Sequence, residues 1–231
     1  MTIHPVVQAL IGEAPINQKN PTIATPQPSF HAQGAFPVQA LSVEVQGFGG
    51  LPPFLQDAQV ARLRENASAA LFGHRDKTLM DTSVRDTAEI KAAALKLTGW
   101  DAVWPGIEAS AQAELGLEGI GLQAHLHNAL LYGPGQFFKM HQDTEKLPGM
   151  VLTLVLVWPC AHLGGHLMVH RGDDVHRFQS EHLHADQIQW FAFYADCQHE
   201  VRPVQQGHRV VLTFNVVLKN ESSQNQAKHS P

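Results

Sequence analysis

Residues 137–146, FFKMHQDTEK, place His141 and Asp143 two positions apart behind a Tyr-Gly-Pro-Gly turn. In a strand, side chains i and i+2 leave the same face. One imidazole nitrogen and one carboxylate would then aim at a common point. Two such groups do not close a metal site. A third stands 58 residues downstream, where His199 opens a further strand-like stretch in ADCQHEVRPV. Two histidines and a carboxylate on three corners of an octahedron suit non-haem Fe(II) and leave positions open. Zinc accepts the same donors, so ligand type alone does not choose the metal. Ten residues beyond His199, Arg209 starts the apolar run RVVLTFNVVL. An arginine entering such a run is costly unless it meets an anion. Its planar fork suits a bidentate grip on a carboxylate. A His-x-Asp pair arises easily by chance in a chain with fifteen histidines; four residues of these types in this order do not.

The elements that must position these residues change character once along the chain. Residues 1–35 are rich in Pro, Gln, Asn and Thr and read as a loosely ordered arm, with one short helix near VVQALIG. Residues 36–120 read as a mainly helical layer after a strand candidate at 40–48. Helices are expected at 52–72, 86–100 and 104–117 from apolar spacing, with Pro opening the first and third, Asp86 or Thr87 capping the second, and Gly73 and Gly99 as stops. From 121 to 218 the period is two. Strands are expected at 122–132, 149–159, 165–170, 187–195, 199–204 and 209–218. The run 149–159 is continuously apolar, as for a strand covered on both sides. Residues 219–231 form a polar tail. The sum is one α+β domain whose helices pack on a sandwich or roll of strands.

The stretches LYGPGQFFKMHQDTEK, GGHLMVH and WFAFYADCQHEVRPVQQGHRVVLTFNV resemble the 2-oxoglutarate/Fe(II)-dependent dioxygenases, and most of all the branch related to prolyl 4-hydroxylases. The likeness is strong over 122–218 and weaker in GHRDKTLMDTSVRDTAEI. It implies a double-stranded β-helix, a jelly-roll or cupin-like core. It implies Fe(II) held by His141, Asp143 and His199, and 2-oxoglutarate held at its far carboxylate by Arg209. By the same resemblance Tyr132 reaches the co-substrate, Thr153 lines its pocket and Thr213 supports Arg209. O2 is then the second co-substrate and ascorbate a candidate reductant. The expected reaction is C–H hydroxylation of a peptide, protein or small molecule, with release of succinate and CO2. One position departs from the branch: where many prolyl hydroxylases carry a second co-substrate tyrosine, this chain has Val157.

Other features narrow the field. The net charge of −5 and the absence of a basic run give no footprint for nucleic acid. No apolar stretch reaches the ~18 residues of a membrane span. No secretory signal is read at the N-terminus, and two cysteines, Cys160 and Cys197, make no disulfide framework; a cytoplasmic setting is expected. The histidines of HLGGHLMVH stand at i, i+4 and i+8, but Gly164–Gly165 argues for a turn rather than a metal-binding helix. No Gly-x-Ser-x-Gly elbow or phosphate loop is present. Two other classes stay open: a cupin-like metal enzyme that does not use 2-oxoglutarate, and a non-enzymatic metal or small-molecule binding module. Oligomeric state is not legible.

Overall fold

The period-two stretches become strands because their alternate side chains meet different surroundings. The run 150–158 is buried at every position and 209–218 at nearly every one, which places both at the centre of a sheet. The computed structural model describes residues 28–70, 72–74, 77–79, 81–143, 147–181 and 185–219. In chain order, the first strands are β1 (His31–Pro37), β2 (Ser42–Val45), β3 (Gly49–Gly50), β4 (Ser68–Ala69), β5 (Phe72–His74) and β6 (Lys77–Leu79). Next come β7 (Arg85–Asp86), β8 (Ala88–Lys91), β9 (Leu95–Thr98), β10 (Leu122–Tyr132), β11 (Phe137–Gln142) and β12 (Met150–Trp158). The last are β13 (His162–Gly164), β14 (Leu167–Arg171), β15 (Asp174–Phe178), β16 (Gln187–Tyr194), β17 (Gln198–Val201), β18 (Val204–Gly207) and β19 (Arg209–Leu218). Two α-helices accompany them, α1 (Asp57–Arg64) and α2 (Trp100–Leu115).

Two antiparallel sheets form the double-stranded β-helix. The larger has the order β1-β16-β12-β19-β10-β8-β4, and the smaller β15-β14-β17-β11-β7. The apolar core fills the larger sheet's faces, with Leu152, Leu154, Leu156, Trp158, Leu212 and Phe214 each about 1% exposed or less. Helix α2 covers its outer side through Val103, Ile107, Ala111 and Leu115, a four-residue spacing that lines up one face. Trp100 stacks on Phe214 at 4.4 Å, and Tyr194 donates to the Leu115 carbonyl at 2.8 Å.

Of the strands expected in 121–218, 122–132 and 209–218 coincide end to end with those observed, 199–204 splits into β17 and β18, and β13 and β15 were not expected. The layer before them is corrected. Residues 86–98, expected as a helix, form the end of β7, then β8, a single 3-10 turn at Ala92–Ala94 and β9 instead. Its alanines fit either period. The tie is broken by β10, whose edge pairs with β8 so that Ala88 and Ile90 are buried while Lys91 faces out. Of 52–72, only Asp57–Arg64 is helical. The segment 36–120 thus holds two helices among short strands rather than a mainly helical layer. The end of the expected arm, from His31, belongs to β1 and pairs with β16. The helix expected near VVQALIG and the tail beyond 219 lie outside the described residues. Among the described residues, no helix is long and apolar enough to cross a membrane.

Candidate metal centre and its cavity

The chain reaches the site through the turn at 133–136. Gly135 has φ +80°, a conformation glycine adopts without strain. Its N–H donates to the Val204 carbonyl at 2.8 Å, and the Gly133 N–H donates to Gln136 Oε1 at 2.8 Å. Gln136 also accepts from Arg64 (3.0 Å) and donates to Asp86 (2.7 Å). The turn therefore hands β10 to β11 in a fixed register.

β11 pairs with β17, and His141 lies directly opposite His199. The pairing is irregular between Phe138 and His141. Three residues apart in a regular strand, their side chains would point to opposite faces. With the irregularity they share one face and stack, ring centroids 3.5 Å apart and 19° from parallel. Arg85, opposite Phe138 on β7, lies over the ring at 4.6 Å. Each imidazole is held from behind. His141 Nδ1 is 2.8 Å from the Lys139 carbonyl, and His199 Nδ1 is 3.2 Å from the Cys197 carbonyl. A carbonyl only accepts, so each Nδ1 carries the proton and each Nε2 presents a lone pair.

Those lone pairs face Asp143. His141 Nε2 is 4.0 Å from Asp143 Oδ1, and His199 Nε2 is 3.7 Å from Oδ2. One donor atom from each of the three residues lies within 4.8 Å of the others. Among the described residues no other group of His, Cys, Asp and Glu is so arranged. Burial, reinforced by the neighbouring His199, pushes the pKa of His141 down to about 3. The ring is thus kept in the neutral form that can ligate. Thr153, on β12 of the larger sheet, donates to Asp143 Oδ2 at 2.7 Å and orients the carboxylate.

The three side chains open onto a cavity of about 330 Å³ between the two sheets. Arg209, Tyr132, Thr153 and Thr213 all line it. Arg209 is only 1% exposed, and its Nε has no hydrogen-bond partner. No carboxylate pairs with it among the described residues. Its nearest favourable neighbours are the Tyr132 ring, 5.8 Å away, and Cys160. Burial lowers its pKa, as expected for a cation without a counter-ion. Gly165 (φ +70°) makes room: a Cβ there would come within 3.0 Å of the Arg209 stem. The Tyr132 phenol is pushed up by burial and so stays a neutral donor.

The surroundings of the remaining residues differ. Thr213 donates to Asn128 Oδ1 at 2.6 Å rather than bonding Arg209. Val157 is fully buried and does not line the cavity. Of the apolar residues flanking the motif, Phe138 and Phe193 line the cavity, while Leu154, Leu156 and Trp190 belong to the core. His127 borders the cavity and is exposed. In HLGGHLMVH the two glycines form the turn between β13 and β14, His162 Nε2 meets Ser180 Oγ at 3.0 Å, and His166 Nε2 lies 3.1 Å from Glu181. Glu145, Lys146, His182 and His184 lie outside the described residues. The sequence reading missed Glu89 and Asn128, both on the cavity wall. Asn128 was legible in principle, as the residue four before Tyr132 on the same strand; Glu89 was hidden in the segment expected to be helical.

Residues 127–217 match the family described as the 2OG-Fe(II) oxygenase superfamily, and all seven residues carried over by resemblance lie inside that span. No curated protein matches the chain. Among solved structures, a Pseudomonas putida prolyl-4-hydroxylase is similar at 20% identity and TM-score 0.47, covering 82% of this chain and 94% of its own. A Trichoplax adhaerens prolyl hydroxylase, in complex with a hypoxia inducible factor oxygen degradation domain peptide fragment, is similar at 14% identity and TM-score 0.47, covering 82% and 88%. A Burkholderia pseudomallei oxidoreductase of the 2OG-Fe(II) oxygenase family follows at 17% identity and TM-score 0.42, covering 72% and 83%. These likenesses are loose, and the family match is confined to residues 127–217.

Proposed function

We propose that this chain, whose residues 127–217 match the 2OG-Fe(II) oxygenase superfamily, is a working dioxygenase that hydroxylates a C–H bond of a peptide, protein or small molecule. The observation that carries the reading is Arg209: a fully buried guanidinium without an anionic partner among the described residues, in the same cavity as the His141–Asp143–His199 group. An uncompensated buried charge is expensive, and a dicarboxylic co-substrate supplies the missing anion. A metal-binding module or a cupin-like enzyme without 2-oxoglutarate leaves that charge unexplained.

In this reading His141 Nε2, His199 Nε2 and one Asp143 oxygen hold Fe(II), with Arg209 facing the far carboxylate of 2-oxoglutarate and Tyr132 donating to it. Iron with 2-oxoglutarate and O2 supplies the oxidising power that turns C–H into C–OH, leaving succinate and CO2; ascorbate keeps the iron ferrous. The protein's own contribution is positional. The Lys139 and Cys197 carbonyls fix the imidazoles, Thr153 fixes Asp143, and Phe138, Phe193 and the surrounding valines keep the cavity dry.

Anaerobic titration with Fe(II) and then 2-oxoglutarate tests the proposal through the weak visible charge-transfer band of the chelate. The band should appear with wild type and need far more 2-oxoglutarate in Arg209→Ala. Metal binding with no band at any 2-oxoglutarate concentration would sink it.

A further inference from the structure

One wall of the cavity carries a hydrogen-bond relay whose direction is fixed by its own chemistry. Glu89 on β8, Asn128 on β10 and Thr213 on β19 sit on three adjacent strands and all line the cavity. Asn128 is 3% exposed and bonded at both ends of its amide. Its Nδ2 donates to Glu89 Oε1 at 2.7 Å, and Thr213 Oγ1 donates to its Oδ1 at 2.6 Å. A carboxylate only accepts, so Glu89 draws the NH2 of the amide to itself. The amide oxygen is left for Thr213, and the single hydroxyl proton is used on it. Thr213 therefore offers the cavity lone pairs alone, beside a half-buried carboxylate.

Among the described residues no cation is paired with that carboxylate. Lys91, two residues along β8, is exposed and makes no ion pair with it. The wall is thus an acceptor surface with a negative charge. It repels a keto diacid, whose carboxylates are acceptors too, so it does not serve the co-substrate that Arg209 suits. It faces the other reactant.

We infer that Glu89, aimed by Asn128 and Thr213, reads a positively charged nitrogen on the molecule to be oxidised: an ammonium or guanidinium on a chain slender enough to share about 330 Å³ with the keto acid. The inference rests on the oxygenase reading above and adds the substrate class to it.

The test uses the full chain with Fe(II), 2-oxoglutarate and O2, and follows succinate release. The probes are the N-acetyl amides of lysine, arginine, norleucine and glutamate, alike except in their side chains. The quantity read is the ratio of kcat/KM for the lysine or arginine compound to that for norleucine, which is insensitive to the amount of folded protein. The ratio should be about ten or more in wild type, the usual advantage of one charge-assisted hydrogen bond. It should fall toward one in Glu89→Gln and swing toward the glutamate compound in Glu89→Lys. If basal succinate release is raised equally by lysine and norleucine, most by glutamate, or by none of them, the Glu89 assignment is overturned and the oxygenase reading stands. If wild type releases no succinate with any probe or without one, the oxygenase reading itself fails, and this inference with it.

Discussion

Replacing Arg209 by methionine should separate stability from binding in an unusual way. The side chain is 1% exposed, its Nε is unbonded, and no carboxylate compensates it among the described residues. In the ligand-free protein it is therefore a burden. Replacing buried charge by an apolar chain of similar volume is often neutral or stabilising by ~1–4 kcal/mol. Methionine keeps the unbranched stem that packs beside Gly165 and Tyr132. The ligand-free variant should thus melt at the wild-type temperature or above. The same change removes a charge-assisted contact worth ~1.5–3 kcal/mol to a bound dianion, which raises the Kd for 2-oxoglutarate about 10- to 150-fold. Thermal melts with and without metal and 2-oxoglutarate read both effects, because a ligand at 100 times its Kd adds ~2.7 kcal/mol and the variant should lose most of that gain. A ligand-free Arg209→Met protein several degrees less stable than wild type would refute the reasoning, since it would mean that the guanidinium is satisfied within the fold. An unchanged affinity for 2-oxoglutarate would refute it independently.

Thr153→Val keeps the shape of β12 and deletes the 2.7 Å bond to Asp143; metal affinity should fall about 10-fold or more with little change in the melt, read by metal titration against circular dichroism. Phe138→Leu removes the ring stacked between Arg85 and His141, a loss of ~0.5–1.5 kcal/mol in aromatic contact, and should weaken metal binding several-fold while 2-oxoglutarate affinity at saturating metal stays near wild type. His162, buried and bonded to Ser180, has its pKa pushed down from 6.5 to about 4 by burial, with Arg209 adding. The unfolded chain then takes up the proton first as pH falls, so stability is intact above about pH 6.5 and is lost down to about pH 4, by roughly 3 kcal/mol from this group. Urea midpoints for the metal-free protein between pH 7 and 4 should show that slope, and His162→Gln should flatten it; an equal slope in the variant would refute the assignment.

The site was legible where chemistry and strand period agree. His141 and Asp143 form an i, i+2 pair at the end of one strand, His199 stands on another, and Arg209 announces itself as a charge at the head of an apolar run. What the sequence could not carry was direction and neighbourhood. Thr213 shares a strand face with Arg209, which suggests support, yet its proton goes across the ladder to Asn128, directly opposite on β10. Segment 86–100 reads equally well with either period because alanine is small enough to sit on a helix face or a strand edge; only the free edge of β10 decides it. That misreading hid Glu89, since a residue assigned to an outer helix is not sought on a cavity wall.

The division of labour between the sheets explains why the pieces lie so far apart in sequence. The smaller sheet brings both histidines together by pairing β11 with β17, and its irregularity at Phe138–His141 turns the first ring inward. The larger sheet supplies the buried guanidinium of Arg209 and the acceptor wall of Thr213, Asn128 and Glu89. Asp143 just follows β11 and is bonded across to Thr153 on β12, so the carboxylate of the candidate triad is also a hydrogen-bonded tie between the sheets. A metal drawn to the three donors would therefore couple the sheets, and the distance from the triad to Arg209 would be set by sheet packing rather than by any loop. Substitutions that shift that packing without touching the site, such as shortening a side chain where β12 and β19 meet, should then change co-substrate affinity more than metal affinity. The histidine pair is held within one sheet, whereas the path to the guanidinium crosses between two.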